Sequence, residues 1–258
     1  MIDIFPYSRN LSPSLRFKII LCVMVACILT ASWATSDVLI CFDLDNHPFM
    51  YEDNGILKGL YPEIVKEAFH RMKEPATLRA LPWKRVIEFA DTGQWGVGGI
   101  YMNEKRILKY DYSEPIFEDT IKVYVLREKQ FKFSAVPDMT GKTVGVMRGW
   151  SYGNSFDRAV ADGKIITTEA KDDRTNIRLL LLGRLDALFM TTDTWAMLQA
   201  LDPEKKICEL PTPMIANKTY LAFPKSMSKA TLLTKFNAEI RAMRKEGVIH
   251  RIVQSYPR

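Results

Sequence analysis

The sequence predicts an α/β protein of two mostly parallel-sheet lobes linked by two crossing strands. Two observations carry that expectation. Short apolar runs alternate with amphipathic helical stripes in the order β-α-β-α-β, and the same layout restarts near Thr143; such alternation predicts parallel strands with right-handed crossovers. Strand-like segments near 121–127 and 219–225 then join one series to the other and back. The architecture repeats although the sequence does not. With 258 residues, 47% of them apolar, the chain can bury a sizeable core, and its length allows one large domain or two small ones.

Asp37 to Phe42 reads as a buried first strand, followed by a polar loop, Asp43 to Phe49, in which Pro48 fixes a turn. Met50 to Gly59 forms a hairpin around Asn54-Gly55. A helix follows: Pro62 suits its first turn, and Leu60, Ile64, Val65, Ala68, Phe69 and Met72 make one apolar stripe. Thr77 to Leu81 is a second strand, passing through Pro82-Trp83-Lys84-Arg85 into a helix with Val86, Ile87 and Phe89. Val97 to Tyr101 is the third strand. Tyr112 to Phe117 is a loop, and Ile121 to Leu126 a strand. In the second series, Thr143 to Met147 is a strand with the loop Arg148 to Gly153 behind it, and a helix starts near Asn154. Ile165 to Thr168 is a strand, and Asp173 or Thr175 would cap the helix holding Ile177 to Leu182. Strands at Ala187 to Met190, Ile207 to Leu210 and Tyr220 to Phe223 and a helix at Trp195 to Leu201 complete the series. The tail, Ser228 to Tyr256, reads as two helical pieces broken at Gly247.

The N-terminus reads as a secretory signal. Arg9, Arg16 and Lys18 precede an apolar run from Ile19 to Leu29, and Ser32-Trp33-Ala34 places small residues for a cut after Ala34. The alternative is an uncleaved anchor, although the run is short for a bilayer span of about 20 residues. Cleavage would remove three cations and one anion (Asp3), lowering the net charge from +6 to +4. That charge is scattered and no basic run interleaves with aromatics, so nucleic acid is not an expected partner. Cys41 and Cys208 would remain, each in an apparent strand of a different lobe, and are expected as free thiols. His47, His70 and His250 are far apart and no Cys/His spacing suggests a metal site.

Three strand ends carry the candidate chemistry, because ligands of open α/β sheets bind beyond the carboxyl ends of strands. At the end of the third strand stands Arg106, a permanent cation whose planar fork of donors suits a carboxylate; a surface arginine after a turn is the plainer reading. Trp83 offers a flat apolar wall or is a core tryptophan. In Arg148-Gly-Trp-Ser-Tyr-Gly, Gly149 lets the backbone approach a ligand and Ser151 offers a hydroxyl, while the helix that follows aims free N–H groups at the loop, a ready anion site; Ser151 could equally act as a local cap. Asp186 reads as a turn residue, and Thr191 to Asp193 either reach the cleft or cap the next helix. No Gly-x-Ser-x-Gly elbow, Cys–His pair or phosphate-binding glycine loop is present.

The signal peptide, Pro48-Phe49 after the first strand and Gly59-Leu-Tyr-Pro-Glu-Ile begin an ordered series. It continues through Gly99 to Arg106, Asp111-Tyr-Ser-Glu-Pro, Gly141-Lys-Thr-Val-Gly-Val and Gly183-Arg-Leu-Asp-Ala. Together they resemble the extracellular solute-binding proteins of family 3, the periplasmic receptors of polar amino-acid ABC transporters, over roughly residues 37–258. The resemblance implies a type II periplasmic-binding-protein (Venus-flytrap) fold. Lobe 1 would be 37–122 plus 224–258 and lobe 2 123–223, behind a signal peptide at 1–34. It also implies a periplasmic, monomeric, non-catalytic receptor without cofactor or metal. The partners implied are a small solute and either an ABC permease or a membrane sensor.

By resemblance, Arg106 grips a ligand carboxylate, with Gly99 and Tyr101 as neighbouring contacts. Asn46 falls at a lid position that is often aromatic, and Trp83 at a side-chain contact. Met147 and Ser151 match contacts from the second lobe, with Arg148, Trp150 and Tyr152 around them. One departure stands out. Members that bind α-amino acids carry an ammonium-holding aspartate where this chain has Thr191, whose neutral hydroxyl cannot supply a charge-assisted bond. The expected ligand is therefore an amino acid, a small carboxylate or another polar anion. The rival readings are a sensory module and a dehydratase-like enzyme on the same scaffold.

Overall fold

A computed structural model describes residues 37–256; the expected signal peptide lies outside the described residues. The strands are β1 (Val38–Asp43), β2 (Asp45–Asn46), β3 (Met50–Asp53), β4 (Ile56–Lys58), β5 (Ala76–Leu81), β6 (Gly96–Tyr101), β7 (Tyr110–Tyr112), β8 (Phe117–Leu126), β9 (Thr143–Met147), β10 (Ile166–Ala170), β11 (Ala187–Thr191), β12 (Ile207–Glu209) and β13 (Ile215–Pro224). The α-helices are α1 (Leu60–Met72), α2 (Trp83–Asp91), α3 (Asn154–Ala161), α4 (Asp173–Leu181), α5 (Thr192–Leu198), α6 (Ala230–Lys245) and α7 (Val248–Gln254).

The two lobes share one sheet, ordered β10-β9-β11-β8-β13-β6-β1-β5. At one end β5, β1 and β6 run parallel, and at the other β10, β9 and β11 do. Between them β8 and β13 pair antiparallel, Ile121 opposite Ile215 and Asp119 opposite Asn217. These are the crossing strands. Each is longer than its apolar run suggests, because the polar ends Phe117–Thr120 and Ile215–Thr219 also pair.

Each end of the sheet has its own core. Ile40, Phe42, Ile64, Val65, Phe69, Ile100, Phe223, Phe236 and Ile240 fill one. Val123, Val144, Phe156 and Phe189 fill part of the other, and Ile177, Leu180 and Leu188 fill its opposite face. Full burial of such a side chain stabilises by about 1.5–3 kcal/mol relative to exposure. The α1 stripe is the clearest link from periodicity to packing: Leu60, Ile64, Val65, Ala68 and Phe69 are all buried, and Pro62 sits in the first turn. The tail breaks at Gly247 as expected, with φ 70° there. Cys41 and Cys208 are both free, the first buried and the second half-buried. One capping expectation is corrected: Asp172, not Asp173 or Thr175, caps α4, its Oδ1 accepting from the Thr175 N–H at 2.7 Å.

Candidate functional site

The carboxyl ends of β1, β6, β9 and β11 meet around a cleft, and two adjoining pockets lie there. Asn46, Met50, Trp83, Gly99, Tyr101, Arg106, Trp150 and Ser151 line the first. Asn46, Met147, Trp150, Tyr152, Asp173 and Thr191 are among those lining the second. Asn46 and Trp150 are common to both. Ten of the eleven expected site residues are thus brought together. Arg148 is not: its exposed side chain points to Glu169 at 3.6 Å, on the far strand of the lobe. Successive residues of an extended loop diverge, and Met147 and Trp150 take the inward positions.

Arg106 is positioned by the chain that precedes it. Gly99 holds φ 77°, and a Cβ there would come within 2.6 Å of the Tyr61 ring, so only glycine lets β6 run this close to the first pocket. The chain then turns, with the Arg106 N–H bonded to Asn103 Oδ1 at 2.8 Å. The guanidinium lies over the Trp83 ring, 5.8 Å from its centroid. Nη1 donates to the Tyr101 carbonyl at 3.2 Å and Nη2 more weakly to the Gly149 carbonyl at 3.4 Å. Among the described residues no carboxylate pairs with it. Burial lowers its proton affinity, while the fields of Tyr112, Tyr110, Asp157 and Asp91 oppose that shift. A partly desolvated guanidinium with carbonyls as its protein partners keeps its attraction for an anion.

Aromatic rings wall the first pocket. Trp83 and Trp150 are 6.3 Å apart, and Tyr101 meets Trp150 edge-on at 6.1 Å. Both indoles also tie the lobes together: Trp83 Nε1 donates to the Gly149 carbonyl at 3.0 Å, and Trp150 Nε1 to Asp43 Oδ2 at 3.3 Å. Tyr101 is committed below the site. Its hydroxyl and that of Tyr61 both donate to Oδ2 of Asp119, a buried residue on β8 whose Oδ1 has no partner. Burial pushes the Asp119 carboxyl up to about 7, against the pull of the two tyrosine bonds.

The anticipated anion site at the start of α3 is corrected. Asp157 folds back over it, its Oδ1 accepting from the Tyr152 N–H at 3.1 Å and its Oδ2 from the Ser151 hydroxyl at 2.5 Å. The protein's own carboxylate occupies the positive end of the helix, and the Ser151 proton is spent on it. Asn103 Nδ2 in turn donates to Ser151 Oγ at 3.0 Å across the lobes. Thr191 lines the second pocket but also caps α5, its Oγ1 accepting from the Thr194 N–H at 3.1 Å, while Thr194 Oγ1 donates to the His47 carbonyl at 2.8 Å. Asp186 proves structural, bonding the Thr143 N–H at 2.7 Å.

Sequence reasoning missed Asp43 and Asp173. Asp43, 4% exposed, ends β1. Asp173 begins α4 and lines the second pocket. Burial raises both carboxyls, Asp43 to about 6 and Asp173 to about 7; for Asp173 the charges of Asp45, Asp172 and Asp43 add to the effect. A strand-end position was the available signal for Asp43. Asp173 reads locally as a helix-start residue and gives no other.

The fold is shared with known proteins. The L-cystine-binding protein TcyJ of Escherichia coli (strain K12) is 24% identical over 216 residues, covering 81% of this chain and 78% of that protein. An ancestral arginine-binding protein bound to arginine superposes with a TM-score of 0.71 at 20% identity, over 85% of this chain and 97% of that one. A histidine kinase sensor domain similar to periplasmic binding proteins superposes with a TM-score of 0.73 at 18% identity, over 85% and 95%. The family model for bacterial extracellular solute-binding proteins, family 3, matches residues 38–257, and to that family this chain belongs.

Proposed function

We propose that this protein is a periplasmic receptor that captures a small polar, carboxylate-bearing solute between its lobes and delivers it to an ABC permease. The observation that carries the reading is Arg106: a guanidinium over Trp83 in the cleft, with no carboxylate paired to it among the described residues. In this reading the ligand carboxylate displaces the long Nη2 contact to Gly149 and takes both forks of the guanidinium. Trp83, Trp150 and Tyr101 cover the remainder of the solute, with Gly99, Asn46 and Ser151 as polar neighbours. The lobes, 37–122 plus 224–258 and 123–223, close about β8 and β13, a hinge of two strands. Residues 1–34 direct export and are removed, and the mature chain acts as a monomer without cofactor. TcyJ and the arginine-binding neighbour, whose names state amino-acid ligands, support a ligand of that type.

Capture without chemistry is the favoured reading over a dehydratase-like activity, because TcyJ and the arginine-binding neighbour are both named as binding proteins. A sensory role has one specific observation behind it, the likeness to a kinase sensor domain. It would use the same pocket with a membrane partner in place of the permease.

A thermal-shift screen of amino acids and small organic acids tests the reading. A ligand at a hundred times its Kd stabilises by roughly 2.7 kcal/mol. Arg106→Ala is expected to abolish that gain while leaving the unliganded melting temperature within a few degrees of the wild type. An equal ligand-induced shift in the variant would remove Arg106 from the role.

A further inference from the structure

We propose that the protein's own contacts shut the cleft, with the Gly149 carbonyl standing on Arg106 where the carboxylate of a solute would go, and that a strut from Asn103 and Glu104 to Ser151 and Asn154 holds it there. This rests on the receptor reading and adds to it an internal competitor that sets the affinity of the site.

Gly149 is the centre of that arrangement. Its carbonyl accepts from Trp83 Nε1 at 3.0 Å and from Arg106 Nη2 at 3.4 Å. These donors are the indole and the guanidinium that line the first pocket. Both come from behind β5 and β6, and the acceptor comes from the loop behind β9. Gly149 reaches this position with φ 76°, a conformation that favours glycine. A carbonyl is a weaker partner for a guanidinium than a carboxylate is, so the contact is one that an anion can displace.

The strut lies beside this contact and outside both pockets. Asn103 uses both ends of its carboxamide. Its Oδ1 accepts from the Arg106 N–H at 2.8 Å, and its Nδ2 donates to Ser151 Oγ at 3.0 Å. One residue on, the Glu104 N–H donates to Asn154 Oδ1 at 3.1 Å. The turn that carries Arg106 is thus fastened to the loop that carries Gly149. The Arg158–Glu104 pair, at 3.6 Å and mostly exposed, adds little. At another point of the cleft Thr194 Oγ1 donates to the His47 carbonyl at 2.8 Å, a second direct bond across it.

These bonds leave little room. The first pocket encloses about 10 Å³ and the second about 20 Å³, and one water takes roughly 10–15 Å³ by that measure. A carboxylic acid of several heavy atoms does not fit. The bonded form and the solute-bound form are therefore different states of the cleft, and the strut belongs to the first. A state that cannot take the solute lowers the apparent affinity in proportion to its population. Each net hydrogen bond shifts such an equilibrium by roughly two- to tenfold. Cutting the strut is thus expected to strengthen binding, the opposite of what removing a ligand contact would do.

Small-angle X-ray scattering of the purified protein in plain buffer, with titration calorimetry of L-arginine, L-cystine and glutarate, tests this. Asn103→Ser keeps an oxygen to accept from the Arg106 N–H and is too short to reach Ser151. Asn154→Ala removes the acceptor of the Glu104 N–H. Both residues are half-buried, and the melting temperatures of the variants should stay within a few degrees of the wild type. In plain buffer the double variant is expected to have the larger radius of gyration. The Trp83 indole N–H, whose bond to Gly149 neither substitution touches, should exchange faster by NMR. Any of the three probes that binds the wild type should bind Asn103→Ser roughly two- to tenfold tighter, and the double variant tighter still. Equal or weaker binding by the variants overturns the proposal, weaker binding meaning that the strut belongs to the solute-bound form. An unchanged radius with unchanged indole exchange also overturns it and leaves the receptor reading standing. Should none of the three bind the wild type, binding of one to the double variant supports the proposal and binding to neither overturns it.

Discussion

The two halves of the cleft are assembled differently. The Arg106 side rests on one continuous stretch, Gly99 to Arg106, whose glycine, carbonyl and turn place the guanidinium. The Asp173 side exists only after folding, when the start of α4 brings Asp173 to the same pocket as Asn46, Trp150 and Thr191. The first half can therefore be found as a motif and the second cannot. The sign of the charge differs as well. Among the described residues, Arg106 has no carboxylate paired with it and Asp173 has no cation paired with it, and the two line adjoining pockets.

Trp150 tests whether the halves form one site, since it lines both pockets and bonds Asp43. Trp150→Ala is expected to have the largest effect after Arg106→Ala. Affinity for whichever ligand binds the wild type should fall by about 30-fold or more, the cost of a buried aromatic anchor of about 2 kcal/mol or above. A calorimetric loss confined to amino acids, with diacids unaffected, would mean that the two pockets act separately.

The same contrast sets what the sequence reveals. The strand and helix order was readable from periodicity, because β1, β6 and β9 are buried on both faces and read as continuous apolar runs. The outer halves of β8 and β13 were not, since Glu118 and Thr120 face solvent while Asp119 is buried, an alternation without apolar residues. Gly99, Tyr101 and Arg106 reach the first pocket together because they follow one another at a single strand end, whereas Trp83 arrives there from a different element. The α3 anion site was misread for the converse reason: local rules show free N–H groups, and only the fold shows Asp157 turning back onto them. Asp173 differs from its capping neighbour Asp172 by one position, and only the direction of the helix decides which of the two caps and which faces the pocket.

Protons offer a sharper probe of the anionic half than of the cationic one. Asp43, Asp119 and Asp173 all have folded-state values raised by burial, to about 6, 7 and 7. A raised carboxyl means the folded state holds protons that the unfolded state has released above about pH 4. Stability of the unliganded protein should therefore decline as pH rises from about 4 through about 7 and level off above. Each kcal/mol corresponds to about 2–4 °C for a domain of this size, so a fall of several degrees in melting temperature between pH 5 and pH 8 is expected. Asp173→Asn should flatten part of that slope. A wild-type melting temperature that rose across the interval would contradict the burial of these groups as uncompensated acids.

The smallest expected effect belongs to Arg148, the one candidate left outside the pockets. Its side chain is 56% exposed and its partner Glu169 55%. An exposed pair of this kind contributes about 0–1 kcal/mol. Removing Arg148 also leaves the backbone that places Met147 and Trp150 in the cleft untouched, since the Arg148 N–H stays bonded to the Ala170 carbonyl at 3.0 Å. Arg148→Ala should therefore change the affinity for amino acids and diacids alike by less than about twofold. A selective loss of carboxylate binding in calorimetry would mean that this arginine swings into the cleft and shares the anion with Arg106, and the division of the site into a cationic half from one lobe and an anionic half across both would have to be redrawn.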